Sequence, residues 1–356
     1  MSTTASLPAA APPQGPRSLS QTPPAWQKAQ RDAITDPAEL IRLLALPAGM
    51  LPAARRAAAL FGLRVPRGYA ARMRRGDPDD PLLRQVLPLD AEHDDVPGFS
   101  ADAVGDLGSL SGDGVLHKYH GRALLVTTGA CAVHCRYCFR RHFPYADANA
   151  ARGAWRGALD RIAADTSLTE IILSGGDPLS LSDRRLGELA TALDAIPHLR
   201  RLRIHTRHPV VLPERIDDAF LDWFGRGRLR RVVVIHANHP RELDATVAAA
   251  LARLRDAGAV LLNQAVLLRG VNDDESVLAE LGERLFECGV MPYYLHLLDR
   301  TAGTAHFEVP PAEARRLWQS LAARTPGYLL PRLAREIPGE PSKTLIGFQR
   351  TDTTHG

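Results

Sequence analysis

The sequence predicts an α/β protein built on a partial parallel barrel, a (β/α)6 unit of the TIM type, preceded by a helical elaboration. Three observations predict it. From Arg122 onward, short apolar runs alternate with amphipathic stretches of a dozen or more residues, the rhythm of a parallel sheet covered on both faces. Six such runs follow one another, with polar residues at their carboxyl ends, as in barrels whose chemistry sits at that edge. Ahead of them, proline-rich connections separate helical patches. A doubly wound open sheet remains the alternative, because periodicity does not decide closure.

Residues 1–24, rich in Pro, Ala, Ser and Gln, cannot repay the entropy of ordering and read as a disordered tail. Their single arginine speaks against a transit peptide. Residues 25–113 form the helical region. Within it "TDPAELIRLLAL" is a helix start, with Asp36 as N-cap, Pro37 in the first turn and Glu39 reaching back to the cap. Residues 114–330 hold the barrel, with strands expected at 122–128, 170–175, 201–207, 231–237, 259–268 and 291–298. Helices are expected at 183–196, 242–258 and 273–289 between them. Residues 331–356 form a C-terminal segment.

With 45% hydrophobic residues, the chain of 356 can bury a sizeable core. No apolar run approaches the length that crosses a bilayer, so no membrane partner is expected. A net charge of +4 is concentrated in "GRGRLRR" (225–231), but no aromatic residues interleave there, so a helix end is expected rather than a nucleic-acid surface. Four cysteines are too few for a disulfide scaffold and point to a reducing, cytoplasmic setting. Cys288, in an amphipathic helix, reads as a buried apolar residue.

Three of those cysteines fall in "CAVHCRYCFRRHFPY" (131–145), directly after the first strand. Cys131, Cys135 and Cys138 have the spacing C-x3-C-x2-C. A structural zinc would want a fourth ligand, which His134 or His142 could supply. A four-iron cube held by three thiolates keeps one iron open for chemistry.

With an aromatic before the third cysteine, this loop resembles the signature of the radical S-adenosylmethionine (SAM) enzymes. The resemblance implies a [4Fe–4S] cluster on the three cysteines, SAM on its open iron, and an unidentified electron donor. It also implies that Gly175, Gly176 and Asp177 of "SGGDPL" hold the methionine end of SAM. "HANHP" and "NQAVLLRGVND" resemble SAM-contacting segments of lysine 2,3-aminomutases, which assigns His236 and Gln264. "REIPGEPSKTLIG" (335–347) looks like the pyridoxal phosphate (PLP) motif of that family, making Lys343 the imine-forming lysine. "HKYHGR" (117–122) is similar to the segment that grips the PLP phosphate. Arg122 matches it, and Lys118 stands where an arginine is usual. Arg140 matches the arginine that takes the substrate carboxylate, and Asp299 an aspartate that pairs with the lysine ammonium. Glu336 falls at a second aspartate of that family.

Several stretches, among them "CRYCFRRHFPY" and "LAREIPGEPSKT", resemble the elongation factor P β-lysylation branch, which implies free L-lysine as substrate. The product, (R)-β-lysine, would go to the ligase that modifies elongation factor P. The short chain beyond Lys343 goes with a simple oligomer or a monomer. Two alternatives stand beside this reading. One is an aminomutase for another amino acid such as glutamate, which Asp299 and Glu336 would repel. The other is a non-catalytic iron–sulfur or zinc protein.

Overall fold

The computed structural model describes residues 23–145 and 155–347, so most of the expected tail lies outside the described residues. One sheet of nine strands organises the chain, in the order β1 to β9. β1 (Val115–Tyr119) runs antiparallel to β2 (Arg122–Thr128). β2 is followed in parallel by β3 (Glu170–Gly175), β4 (Arg201–Thr206), β5 (Arg230–Ile235), β6 (Val260–Val266) and β7 (Met291–His296). These are the six expected strands. β8 (Arg332–Arg335) adds a seventh parallel strand and hairpins into β9 (Thr344–Leu345). Its four residues, Arg-Leu-Ala-Arg, do not alternate and no helix follows, so periodicity had nothing to register.

No ladder joins the first strands to the last among the described residues, and the barrel is therefore partial. Side chains cross the seam instead. On β1, Tyr119 donates to Glu336 Oε1 at 2.5 Å and Lys118 Nζ lies 3.7 Å from the same carboxylate, just past β8.

The helical elaboration contains α1 (Ala25–Arg31), α2 (Pro37–Leu43) and α3 (Leu51–Leu60), with several single turns. Asp36 caps α2 by accepting from Ala38 N, as expected. Glu39 does not reach back to the cap, because the Arg67 guanidinium draws it outward into an ion pair. Crossover helices α4 (Arg156–Ala164), α5 (Asp183–Asp194), α6 (Asp218–Phe224), α7 (Ala245–Asp256), α8 (Glu275–Glu287) and α9 (Pro311–Arg324) cover the sheet. Aspartates 217, 244 and 274 accept from the first-turn amides of α6, α7 and α8, and the caps start α7 three residues and α8 two residues later than periodicity alone places them. The basic stretch at 225–231 closes a helix end: Arg228 donates to Asp194 O at 2.8 Å and Leu199 O at 2.6 Å, and Arg231 pairs with Asp194. Cys288 is buried just past α8.

Candidate active site

Three residues beyond β2, the cysteine loop is laid against the helical elaboration by its other side chains. Arg136, fully buried, pairs with the buried Glu92 and donates to Phe61 O at 2.7 Å. Arg141 meets the same Glu92 at 2.7 Å. Two guanidiniums on one carboxylate leave neither sign unpaired in a site where an isolated charge would be costly. His134 gives Nδ1–H to Gly62 O at 2.7 Å and stacks on Phe61, while His142 Nε2 lies 3.1 Å from Ala302 O. Each histidine thus commits one ring nitrogen to a backbone carbonyl and keeps the other. Among the described residues no three His, Cys, Asp or Glu groups converge as a single metal ion requires. A four-iron cube makes no such demand, since each thiolate meets a different iron. Burial, then Cys135, pushes the Cys138 thiol up to about 11; burial, Asp177 and the neighbouring cysteines push the Cys131 thiol up as well.

Gly175 adopts φ +122°, and a Cβ on Gly176 would stand 2.5 Å from Ala130 O. The end of β3 thus packs backbone to backbone on the segment entering the cysteine loop, with Gly176 N donating to Thr128 O at 2.6 Å and Asp177 N to Ala130 O at 2.8 Å. The missing side chains admit the neighbouring chain segment, and Gly175, Gly176 and Asp177 also line the cavity in which the methionine end of SAM is expected. The Asp177 carboxylate accepts from Leu179 N, Thr206 Oγ1 and Arg207 N. Burial favours its protonation, but His208 and these donors outweigh it and hold the carboxyl at about 2. Arg207 lies between the rings of Tyr69 and Tyr137, reaching Cys135 Sγ at 2.7 Å and Gln85 Oε1 at 2.6 Å.

At the seam, Lys343 Nζ lies 2.6 Å from Glu336 Oε2 and 5.9 Å from the centroid of Tyr294. Lys118 Nζ lies 2.6 Å from Asp106 Oδ1, and Arg140 Nε donates to Asp106 Oδ2 at 2.7 Å. A run of alternating charge, Arg140–Asp106–Lys118–Glu336–Lys343, thereby leads from two residues past the third cysteine to the late lysine. Asp299 is raised to about 7, by burial first; Lys343 opposes that and Glu336 and Asp106 reinforce it. Gln264 Nε2 donates to His236 Nε2 at 3.1 Å. Burial lowers His236 to about 4 and holds His205 and His296 well below the usual imidazole range, so three neutral imidazoles line this interior. Arg122 stacks over Tyr119 at 4.6 Å.

One cavity of about 700 Å³ is lined by every residue that the family resemblance assigned to a cofactor or substrate, from Cys131, Cys135 and Cys138 to Lys343. It extends past the carboxyl edge to Glu170 and Arg201 at the amino ends of their strands.

No family model matches the chain. Curated relatives do. An L-lysine 2,3-aminomutase of Escherichia coli strain K12 is 52% identical over 91% of this chain and 95% of its own. Another, of Haemophilus influenzae, is 46% identical over 90% and 95%, respectively. The chain belongs to the L-lysine 2,3-aminomutase family. That is a family of isomerases, and its reach is wide: the Clostridium subterminale enzyme of the same name is 34% identical over 76% of this chain. A radical SAM methyltransferase structure from Sphaerobacter thermophilus aligns over 62% of the chain at 20% identity with a TM-score of 0.44, too loose a likeness to decide anything.

For this aminomutase-family chain, sequence reasoning overlooked Asp106, Tyr119, His205, Arg207 and His296, all on the cavity wall. Three had a signal: His205 and His296 are polar residues inside apolar strands, and Arg207 ends one. Asp106 and Tyr119 had none, since their partners are remote in the chain.

Proposed function

We propose that the protein is a lysine 2,3-aminomutase that uses a [4Fe–4S] cluster, SAM and PLP to convert L-lysine to (R)-β-lysine for the modification of elongation factor P. The observation that carries this reading is the shared cavity, with three thiols at one end and an amine at the other. The donor set suits the three groups. Cys131, Cys135 and Cys138 would hold the cluster, which asks for no fourth side-chain ligand when one iron stays open. His236 and Gln264 line the space beyond it for SAM, beside the Gly175–Asp177 turn that braces the cysteine loop. Lys343, Lys118 and Arg122 would hold PLP, and the buried His205 Nε2 has no protein partner on that wall. When bound, the cluster and SAM supply a radical able to take hydrogen from Cβ, and PLP supplies an electron-poor ring that stabilises the radical through the amino shift.

The chain's own side chains bind, orient and move protons. Arg140 presents a planar fork to the substrate carboxylate. Asp299 and Glu336 face the side-chain ammonium, a pair of acids that a second substrate carboxylate would meet with repulsion. Glu336 Oε2 is placed to take a proton from Lys343 Nζ when that amine must react, with the Tyr119 hydroxyl steadying the other oxygen. Neutral histidines add no further positive charge beside the lysine. Fixing both ends of a flexible substrate matters most here, because a misplaced radical attacks whatever lies nearest.

The test is anaerobic. Protein reconstituted with iron and sulfide, given PLP, SAM, a reductant and L-lysine, should form β-lysine by chromatography, and Lys343→Ala should form none. Iron and PLP binding without product would overturn the substrate assignment alone. For the elongation factor P link, cells lacking this gene should show the factor without its β-lysyl mass increment.

A further inference from the structure

We propose that Asp106 is a positioning residue that couples the grip on the substrate carboxylate to the grip on the cofactor phosphate; this rests on the roles given above to Arg140 and Lys118. Asp106 is only 3% exposed and lies in an irregular segment ahead of β1. Its two carboxylate oxygens face different cations: Oδ2 accepts from Arg140 Nε at 2.7 Å, and Oδ1 meets Lys118 Nζ at 2.6 Å. Its backbone is fixed in turn, because Asp106 N donates to Asp102 Oδ1 at 2.9 Å.

The choice of Nε matters. An arginine held at Nε still has N–H groups on Nη1 and Nη2 to offer a second anion. Here Nη1 carries a 3.1 Å bond to Ser174 Oγ, and the guanidinium lies over Phe139 and Phe143, at 4.8 and 5.7 Å from their centroids. Asp106 thus aims the fork along one direction within an aromatic slot. On its other side the ammonium of Lys118 is fixed by Asp106 and by Val104 O at 2.7 Å, with Glu336 farther off. One buried carboxylate therefore sets the spacing of the two anchoring cations and offsets their mutual repulsion. Moving either cation moves the other.

Asp106→Asn keeps an oxygen for Arg140 but removes the charge and turns an amide NH2 toward Lys118. The expected result is a roughly tenfold rise in the dissociation constant for PLP, read by the chromophore in titrations of protein lacking the cofactor. A similar rise in KM for lysine should accompany it, with kcat changed less and iron content unchanged. In a double-mutant cycle, Asp106→Asn and Lys118→Met should be strongly non-additive for PLP binding. Asp106→Glu should restore part of both constants. If Asp106→Asn does not fold, Asp102→Ala serves instead: it touches neither cation, frees the Asp106 backbone, and should raise both constants at least twofold. Constants within twofold of the parent, or strictly additive effects with Lys118→Met, would overturn the coupling. A parent protein that binds no PLP would overturn the cofactor assignment, a different outcome.

Discussion

The two ends of the cavity are built by different means. At the cysteine end, positions are set by backbone: the Gly175–Gly176 turn abuts residues 128–130, and buried arginines fasten the loop to carbonyls of the helical elaboration. At the seam, positions are set by side chains alone, in a run of ion pairs between segments that share no ladder. The cysteine end should fail on changes of shape and on loss of the buried Glu92 charge, whereas the seam should respond mainly to charge.

The sharpest way to break that contrast is to disable each end separately. Replacing any of Cys131, Cys135 or Cys138 by Ser should abolish product and the iron–sulfur chromophore while PLP still binds. Lys343→Ala should lower turnover by at least ~10³-fold and remove the PLP imine absorbance with iron content unchanged. If either change emptied both ends, the cavity would have to be one cooperative unit.

Next in size is shape at the cysteine end. A Cβ on Gly176 meets backbone rather than a side chain that can yield, so Gly176→Ala should cost a few kcal/mol in denaturant unfolding and impair iron incorporation. Arg140→Lys keeps the charge but loses the fork, and KM for lysine should rise about 10- to 100-fold with a smaller change in kcat.

A smaller effect tests the seam by pH. Asp299, raised to about 7, must be ionised to hold an ammonium, so KM for lysine should fall as pH rises toward 7, by as much as about tenfold per unit, and level off above it. Asp299→Asn should flatten that profile. The stability consequence has the opposite sense. A carboxyl whose folded pKa is raised favours the folded state most at low pH, and that contribution is lost as pH climbs through about 7. Asp299→Asn should therefore raise Tm at pH 8 and change it little at pH 4. Glu336→Asp, the mildest change, should move KM only a few-fold.

The same contrast governs what the sequence made legible. Cys131 to Arg140 lie within ten residues, and their strand-to-loop setting can be read from one short window. The strands were legible because each is an apolar run flanked by turn residues. The seam is assembled from positions 106, 118, 119, 336 and 343, and the Tyr119–Glu336 pairing alone spans 217 residues, so local pattern carries no trace of it. Lys343 and Glu336 were found through family resemblance, and the partners that orient them were not. The charged strand β8 was missed because its two buried residues, Leu333 and Ala334, are adjacent and too few to set a rhythm.

A barrel wall that meets itself through acids and amines has a weak line running its length. Among the ladders of the sheet, the two-residue pairing of β9 with β8 is the shortest, and it ends the strand order beside the reactive amine. Amide protons there should be the first of the sheet's to exchange with deuterated solvent, because parting these strands breaks few backbone bonds and exposes little apolar surface. A bulky solute could then reach the interior through a hem that opens and recloses while the rest of the garment stays sewn.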